Sequence, residues 1–343
     1  MALALRAEPV RLPRKLRIAI AGLEGHPDEI LGQLESLPDV EVVGIADADA
    51  AAVHSVIQHN KNLASARIYS SLKPMLDAEK PNLVAVCNDN GARAGAVIEC
   101  AERGIDVIAE KPLAITRRDL ERVRETVMRR RIQLGMLLPM RFEPHYQALK
   151  QIVASGQIGE VIQISAQKSY KLGARADWYK KQQSYGSTIL WIGIHMFDLM
   201  RWTSSREFTH ASSFMGRSGF RGLGDMETTT TTAIRLDNGG TADLHMDYCR
   251  PDTAPDHGDD RLRLAGTKGV AEYLAATGVT LMTNETKPTV IRDLPRLGSV
   301  FLEFLEHAYN GKPTSLPPDE IFRICEITLG AHEAAEKGQV VRL

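Results

Sequence analysis

The sequence predicts an α/β protein: an N-terminal doubly wound Rossmann domain, then a C-terminal α+β domain with a largely antiparallel open sheet. Three observations carry that prediction. Apolar runs without alternation recur between helical segments over the first part of the chain, the pattern of parallel strands buried on both faces. Beyond about residue 139 the strands alternate apolar and polar residues, as half-buried antiparallel strands do. The length, 343 residues, is too great for one ordinary core, so two domains are expected.

The elements follow in order. Residues 1–14 read as a loose leader, 15–138 as the Rossmann domain and 139–343 as the second domain. "LRIAIAGL" (16–23) is a buried strand and "DEILGQLESL" (28–37) a helix opened by Pro27, a residue suited to a helix start. "VEVVGIAD" (40–47) is a second strand, followed by an alanine-rich helix from about Asp49. "PNLVAVCN" (81–88), "DVIAE" (106–110) and "IQLGMLL" (132–138) are further strands, with helices around 92–103 and 116–130 between them. This alternation at βαβ spacing is what a parallel sheet requires. In the second domain "FEPHYQALKQIVASGQIG" (142–159) is a helix ended by glycine, and "EVIQISAQKSY" (160–170) alternates as a strand. "TTTTTAIRLDNGGTADLHMDYC" (228–249) is two alternating strands joined by Asp237-Asn238-Gly239-Gly240, a strong hairpin signal. "DRLRLAGTKGVAEYL" (260–274) is another hairpin. The threonine run at 228–232 is strand-prone and no more.

Composition excludes several classes. Hydrophobic content is 43%, charged content 25% and formal net charge −1, from 42 basic and 43 acidic residues. Nucleic acid or an anionic membrane surface calls for a clustered basic excess, which is absent. Cys87, Cys100, Cys249 and Cys325 are scattered, with no CxxC or zinc spacing, so they read as reduced thiols in a reducing, cytoplasmic compartment. No apolar run approaches the length of a membrane span, and the first residues lack a signal peptide's apolar core.

The first strand ends in "AGLEGHP". Strand, glycine turn, helix, second strand and then an acid form the frame of a dinucleotide site. The helix N-terminus takes the pyrophosphate, and the acid takes the adenine-side ribose. Gly22, Leu23, Glu24 and Gly25 are the candidate turn, and Asp47 stands about 25 positions after Gly22, near the usual spacing. The GxGxxG pattern is broken, because Glu24 and Pro27 occupy two of its glycine positions. Gly25 offers a close approach shifted by one residue, while an inward Glu24 would repel a pyrophosphate. A plain βα turn, with Asp47 or Asp49 as a helix cap, fits the same residues. No basic residue follows Asp47 to hold a 2′-phosphate, which favours NAD over NADP.

The stretch "VIAEKPLAI" (107–115) ends an apolar strand in Glu110-Lys111-Pro112. Ligands of open parallel sheets bind off the carboxyl ends of the strands, where these residues and "NDNGAR" (88–93) fall. A lysine beside a nicotinamide has its pKa depressed by the ring's positive charge and is readied for proton transfer. An exposed lysine in a turn is the bland reading.

Five segments in order resemble the Gfo/Idh/MocA family of nicotinamide-dependent oxidoreductases, over about residues 15–343. They are Glu110-Lys111-Pro112, "MRFEPHYQALKQIVASGQIGEVIQIS" (140–165), "GIHMFDLMRW" (193–202), "LRLAGTKGVAEY" (262–273) and "GQVVRL". The resemblance implies a Rossmann domain and a second domain whose open sheet supports substrate binding and often oligomer contacts, as homodimer or homotetramer. It implies Lys111 as the active-site lysine, and Asn88, Asn90 and Glu110 on the cofactor side. Where the family often has a threonine-proline pair before that asparagine and a histidine after it, this chain has Asn88-Asp89 and Arg93.

"STILWIGIHMFDLMRW" (187–202) reads as a helix apolar nearly all round, hence buried. Trp191, His195, Asp198 and Trp202 recur at helical spacing on one face. The family often places an aspartate four residues before a catalytic histidine; here His195 matches and the aspartate position holds Trp191. Three readings stay open. Asp198 holds His195 instead; or Lys111 carries most of the proton transfer while Trp191 packs against a sugar-like ring; or the redox step is lost. Tyr170, Arg175, Trp178 and Tyr179, in the polar aromatic stretch 168–181, are candidate substrate contacts. His245 and Asp247 share a strand face, but the family needs no metal and none is expected.

The leading expectation is hydride transfer between NAD and a carbinol or carbonyl of a sugar, polyol or sugar derivative. Lys111 and His195 handle the proton, and Trp191 and Asp198 support them. The rivals are a non-catalytic dinucleotide or sugar sensor of the same fold, and redox-assisted glycoside cleavage.

Overall fold

The first sheet is parallel throughout, with strand order β3-β2-β1-β4-β5-β6. Its elements are β1 (Leu16–Ala21), α1 (Asp28–Leu31), β2 (Val40–Ala46), α2 (Ala50–His59), β3 (Arg67–Tyr69), α3 (Leu72–Glu79), β4 (Leu83–Val86), α4 (Asn90–Glu102), β5 (Asp106–Ala109), α5 (Arg117–Arg130) and β6 (Leu134–Met136). The order reverses between β1 and β4, the topological switch point at which doubly wound folds open a binding crevice. The apolar strand residues are there because both faces are covered: Ile18, Ile20, Val84, Val86, Val107 and Ile108 are each at most 1% exposed. Each such side chain contributes about 1.5–3 kcal/mol of burial.

This is a computed structural model, and it describes residues 9–343. The chain falls into two units. The first comprises the described residues through Ala114, then Arg118–Pro139 and Ser299–Phe322; the second comprises Ile115–Arg117, Met140–Gly298 and Arg323–Leu343.

In the first unit the predicted strands and helices are present, with each end within two residues of the reading. The helix expected over 28–37 is the exception. It is one α-helical turn closed at Gly32, then a 3₁₀ turn at Leu34–Ser36, because glycine weakens helix continuation and Pro38 forbids it. The first eight residues of the expected leader lie outside the described residues. Beyond them the chain is tied down: the Val10 N–H donates to Ser36 O at 3.2 Å and the Leu12 N–H to Asp39 Oδ2 at 3.2 Å.

The second unit is built on a nine-stranded sheet. Its elements run α6 (Pro144–Ala154), β7 (Val161–Lys171), α7 (Gln182–Tyr185), a π-helical segment Ile189–Gly193 leading into α8 (Ile194–Ser204), β8 (Phe208–Gly216), β9 (Thr229–Leu236), β10 (Thr241–Arg250), β11 (Gly258–Gly266), β12 (Gly269–Leu274), β13 (Gly278–Thr283) and β14 (Thr289–Val290). α9 (Val300–Asn310) belongs to the first unit, where Phe304 packs so close to Gly135 that a Cβ there would lie 2.6 Å from its ring. α10 (Pro318–Lys337), mostly in the second unit, and β15 (Val341–Arg342) complete the chain. The sheet order is β14-β13-β12-β11-β7-β10-β9-β8-β15. Only β7 and β10 pair in parallel; the rest are antiparallel, as the alternation predicted. The turn between β9 and β10 carries Gly239 at φ +84°, the left-handed geometry its Asn-Gly pair signalled.

Alternation sorts β7 into two faces. Ile164, Ala166 and Lys168 are buried, on the face that α8 covers. On the other, Ser165, Gln167 and Ser169 stand opposite Asp243, His245 and Asp247 of β10. There the Ser165 hydroxyl donates to Asp243 at 2.9 Å, the Ser169 hydroxyl to Asp247 at 2.7 Å, and His245 Nε2 meets Gln167 Oε1 at 2.9 Å. The His245/Asp247 pair is thus engaged by its sheet neighbours. Among the described residues no group of three or more His, Cys, Asp or Glu is arranged to hold a metal.

Candidate active site

The carboxyl edge of the parallel sheet gathers most of the residues expected to hold a cofactor. Gly22 follows β1, Asp47 follows β2, Asn88 follows β4, and Glu110 and Lys111 follow β5. Gly22 has φ +87°, and a Cβ on it would lie 2.4 Å from Cys87 O. Only glycine lets the turn pass this close to the end of β4. Gly25 has φ +77° and a Cβ would meet Glu110 Cδ at 2.5 Å. The second glycine therefore serves close approach one position later than the common motif. The Asp47 carboxylate ties the turn to β2: Oδ2 accepts the Leu23 N–H at 3.0 Å and Oδ1 the Asp49 N–H at 2.8 Å. Asp49 itself caps α2, accepting from the N–H groups of Ala51 and Ala52. The Glu24 N–H donates to Cys87 O at 2.8 Å.

Glu110 is fully buried and organises this turn from below. Its Oε1 accepts the His26 backbone N–H at 2.5 Å and lies 2.6 Å from His26 Nδ1, while Oε2 accepts the Lys111 N–H at 3.0 Å. Burial alone would raise its pKa, but the charge and hydrogen bond of His26, then Lys111 and Arg93, outweigh that and bring it down to about 2. The acid at the end of β5 is therefore an ionised anchor. Lys111, 1% exposed, precedes Pro112 through a cis peptide bond. Asn90 opens α4 and its Oδ1 accepts from Arg93 Nη1 at 2.8 Å. Arg93 is fully buried, and it also donates to Lys111 O at 2.9 Å, Pro112 O at 3.0 Å and Asn88 O. The sequence marked Arg93 as a departure without showing this clamp.

In the second unit, Trp191 lies in the π-helical segment and His195 in the first turn of α8; each is 5% exposed. The single α-helix expected over 187–202 thus carries a wider turn between them, a feature frequent at functional sites. Asp198, 2% exposed, has a strong partner that the sequence reading did not name. Arg141, 1% exposed, grips it with two parallel bonds, Nε to Oδ2 at 2.7 Å and Nη2 to Oδ1 at 2.5 Å. The same guanidinium lies 5.5 Å from the Trp202 ring centroid.

Trp191 stands edge-on to Trp178 (centroids 5.4 Å apart) and to Tyr179 (6.0 Å). Arg175 sits over Tyr179 at 5.4 Å and over Tyr248 at 4.6 Å, and Nη2 donates to Lys171 O at 3.0 Å. Three of the four predicted loop residues thus join Trp191 in one aromatic-cationic cluster. Tyr170 belongs to a neighbouring group: its ring is 4.9 Å from Lys168 Nζ and 4.8 Å from the His257 ring. Lys168 is wholly buried. Burial would lower its pKa, but Asp260 Oδ2 at 2.6 Å outweighs this and holds the ammonium above its ordinary value. Trp178 Nε1 is buried and makes no hydrogen bond among the described residues, a donor available to a ligand oxygen.

The first unit fits a dinucleotide on its own observations. Asn88 Oδ1, at the same edge, is a buried acceptor with no hydrogen bond among the described residues. The two glycines let the turn pack against Cys87 and Glu110 where a Cβ would clash, and the Asp47 carboxylate ties the turn to the end of β2. At the altered turn Gly22 and Gly25 supply left-handed backbone, at φ +87° and +77°, that other residues rarely adopt.

A doubly wound sheet with this turn and acid, joined to a mixed-sheet unit, is the frame of a dinucleotide-binding protein. Residues 16–137 match the family model of oxidoreductases with an NAD-binding Rossmann fold, and residues 146–272 match the GFO/IDH/MocA C-terminal domain. The chain belongs to the GFO/IDH/MocA oxidoreductase family, and its cofactor is NAD. A solved structure from Thermotoga maritima, assigned as an oxidoreductase, is 32% identical with a TM-score of 0.90, covering 96% of this chain and 100% of that one. The uncharacterized oxidoreductase YrbE of Bacillus subtilis is 23% identical over 85% of this chain and 80% of its own length. Inositol 2-dehydrogenase 2 of Saccharopolyspora erythraea is 25% identical, and the match spans 66% of this chain and 64% of that enzyme.

Proposed function

We propose that this protein transfers a hydride between NAD and a carbinol or carbonyl carbon of a sugar, polyol or sugar derivative. The observation that carries the proposal is Lys111: a buried lysine at the carboxyl edge of the parallel sheet, held by its backbone beside an ionised Glu110. In the oxidising direction the carbinol O–H proton leaves to the chain, the O–H bond becomes the C=O bond, and the carbinol hydrogen leaves as hydride. NAD when bound supplies the hydride acceptor. We assign Lys111 and His195 to the proton, with Lys111 also polarising the oxygen. Gly22, Leu23, Glu24, Gly25, Asp47, Asn88, Asn90 and Glu110 hold or shape the cofactor turn.

The polyol named in inositol 2-dehydrogenase 2 supports the substrate class. So does the Trp191, Trp178, Tyr179 and Arg175 cluster, since aromatic faces with a few polar donors suit hydroxylated rings. Asp198 then serves through Arg141, and Tyr170 lines the polar side of the same unit. We further assign the protein to the cytoplasm as a homodimer or homotetramer, acting on small molecules and not on nucleic acid or membranes. Balanced charge and four free cysteines support that assignment, and no helix of the described residues is long and apolar enough to cross a membrane. The test is a panel of polyols, aldoses and their derivatives with NAD, on wild type and Lys111→Ala. NADH formation with at least one member, abolished in a folded Lys111→Ala, is expected. Unchanged turnover in the variant removes Lys111 from its role.

A further inference from the structure

We infer that Arg93 is the positioning residue of the Lys111 turn. The inference rests on the reading of Lys111 as the proton carrier. The loops after β4 and β5 present backbone carbonyls to the interior, and a buried carbonyl without a donor is costly. One guanidinium answers them: Arg93 Nη1 donates to Lys111 O at 2.9 Å and Pro112 O at 3.0 Å, and Nη2 donates to Asn88 O. The same Nη1 reaches Asn90 Oδ1 at 2.8 Å. Arg93 is 0% exposed and lies in the first turns of α4, a 13-residue helix packed on β5.

The consequence is that both backbone groups of Lys111 are held. Its N–H donates to Glu110 Oε2 at 3.0 Å, and its C=O accepts from Arg93. The lysine is thereby referenced to a helix instead of a free loop, which matters because small displacements of a reacting group cost large factors in rate. Arginine is suited to this by its planar fork of donors; lysine brings a point charge, and histidine two donors at most.

Arg93→Gln and Arg93→Lys test the inference by three readouts: kcat, NAD affinity, and acetylation of each lysine by an N-hydroxysuccinimide ester followed by peptide mass spectrometry. Lys168, equally buried in the second unit, is the internal control for general loosening. Expected for Arg93→Gln are a kcat lower by about tenfold or more, an NAD Kd raised by a smaller factor than kcat falls, and Lys111 acetylation up by about fivefold with Lys168 unchanged. Arg93→Lys keeps the charge without the fork, so it folds and recovers only part of the loss. If Arg93→Gln fails to fold, Arg93→Lys carries the same readouts. The inference is overturned by unchanged Lys111 acetylation, by Lys111 and Lys168 rising together, or by full kcat in a variant whose Lys111 has become reactive. Full turnover in Lys111→Ala would overturn the catalytic reading itself, and the positioning role with it.

Discussion

Replacing Glu110 by glutamine removes one charge from the floor of the glycine turn and changes almost no volume. The carboxylate is 0% exposed and accepts three N–H groups, two from His26 and one from Lys111. Its pKa is drawn from the ordinary 4.5 to about 2. At 1.36 kcal/mol per pH unit that corresponds to about 3 kcal/mol of folded-state preference for the ionised form. A glutamine amide would also turn an N–H₂ toward one of those donors, so Glu110→Gln destabilises the first unit by about 3 kcal/mol at pH 7. For a unit of this size that is roughly 6–12 °C in Tm. Because the folded value lies below the unfolded one, the unfolded chain takes up the proton first as pH falls. The contribution is whole above about pH 4.5, about half remains at pH 3, and it is gone below about pH 2. Urea unfolding at pH 7 and pH 3, with hydrogen exchange of segment 22–26 to localise the effect, measures it. A penalty under about 1 kcal/mol, or one that does not shrink toward low pH, would refute the anchor role.

Other consequences follow from the same geometry. Gly25→Ala puts a Cβ 2.5 Å from Glu110 Cδ at a φ of +77°; NAD affinity should fall by about tenfold by calorimetry, the equivalent of 1–2 kcal/mol of left-handed strain. Asp47→Ala loses the anchors to the Leu23 and Asp49 N–H groups and the acid proposed to face the ribose; NAD binding should weaken at least tenfold, and NADP should not become the preferred ligand. Asp198→Ala leaves the Arg141 guanidinium buried without its carboxylate, a loss of about 3–5 kcal/mol. Thermal melting followed by tryptophan fluorescence, to which Trp202 beside Arg141 contributes, measures it.

Much of the frame was legible because single residues leave strong local traces. The runs that became β1, β4 and β5 are apolar on both faces; only a covered parallel sheet asks for that. Asn238-Gly239 gave the β9–β10 turn. Other features had no local trace. In the Ile189–Gly193 segment nearly every residue is apolar and buried, so periodicity cannot distinguish an α-turn from a π-turn. β8 was not read because "FTHASSFMG" mixes small polar residues into its buried face, where the Ser213 and Thr232 hydroxyls pair at 2.9 Å. The return of Val300–Asn310 to the first unit depends on Phe304 filling the space above Gly135, a non-local fit. At the candidate site, Lys111, Asp47 and the glycines could be singled out from their expected place at strand ends. The clamps by Arg93 and Arg141 were not, since a sequence shows an arginine but not the carbonyls or carboxylate it will reach.

The most direct test of the central claim follows the hydrogen itself. The protein is incubated with NAD and a polyol deuterated at its carbinol carbons, and the reduced cofactor is analysed by mass spectrometry. The account predicts reduced nicotinamide carrying one deuterium from the substrate, none from heavy-water solvent, and no product with Lys111→Ala. Deuterium arriving from solvent, or no reduced cofactor from any polyol or sugar in the panel, would contradict it.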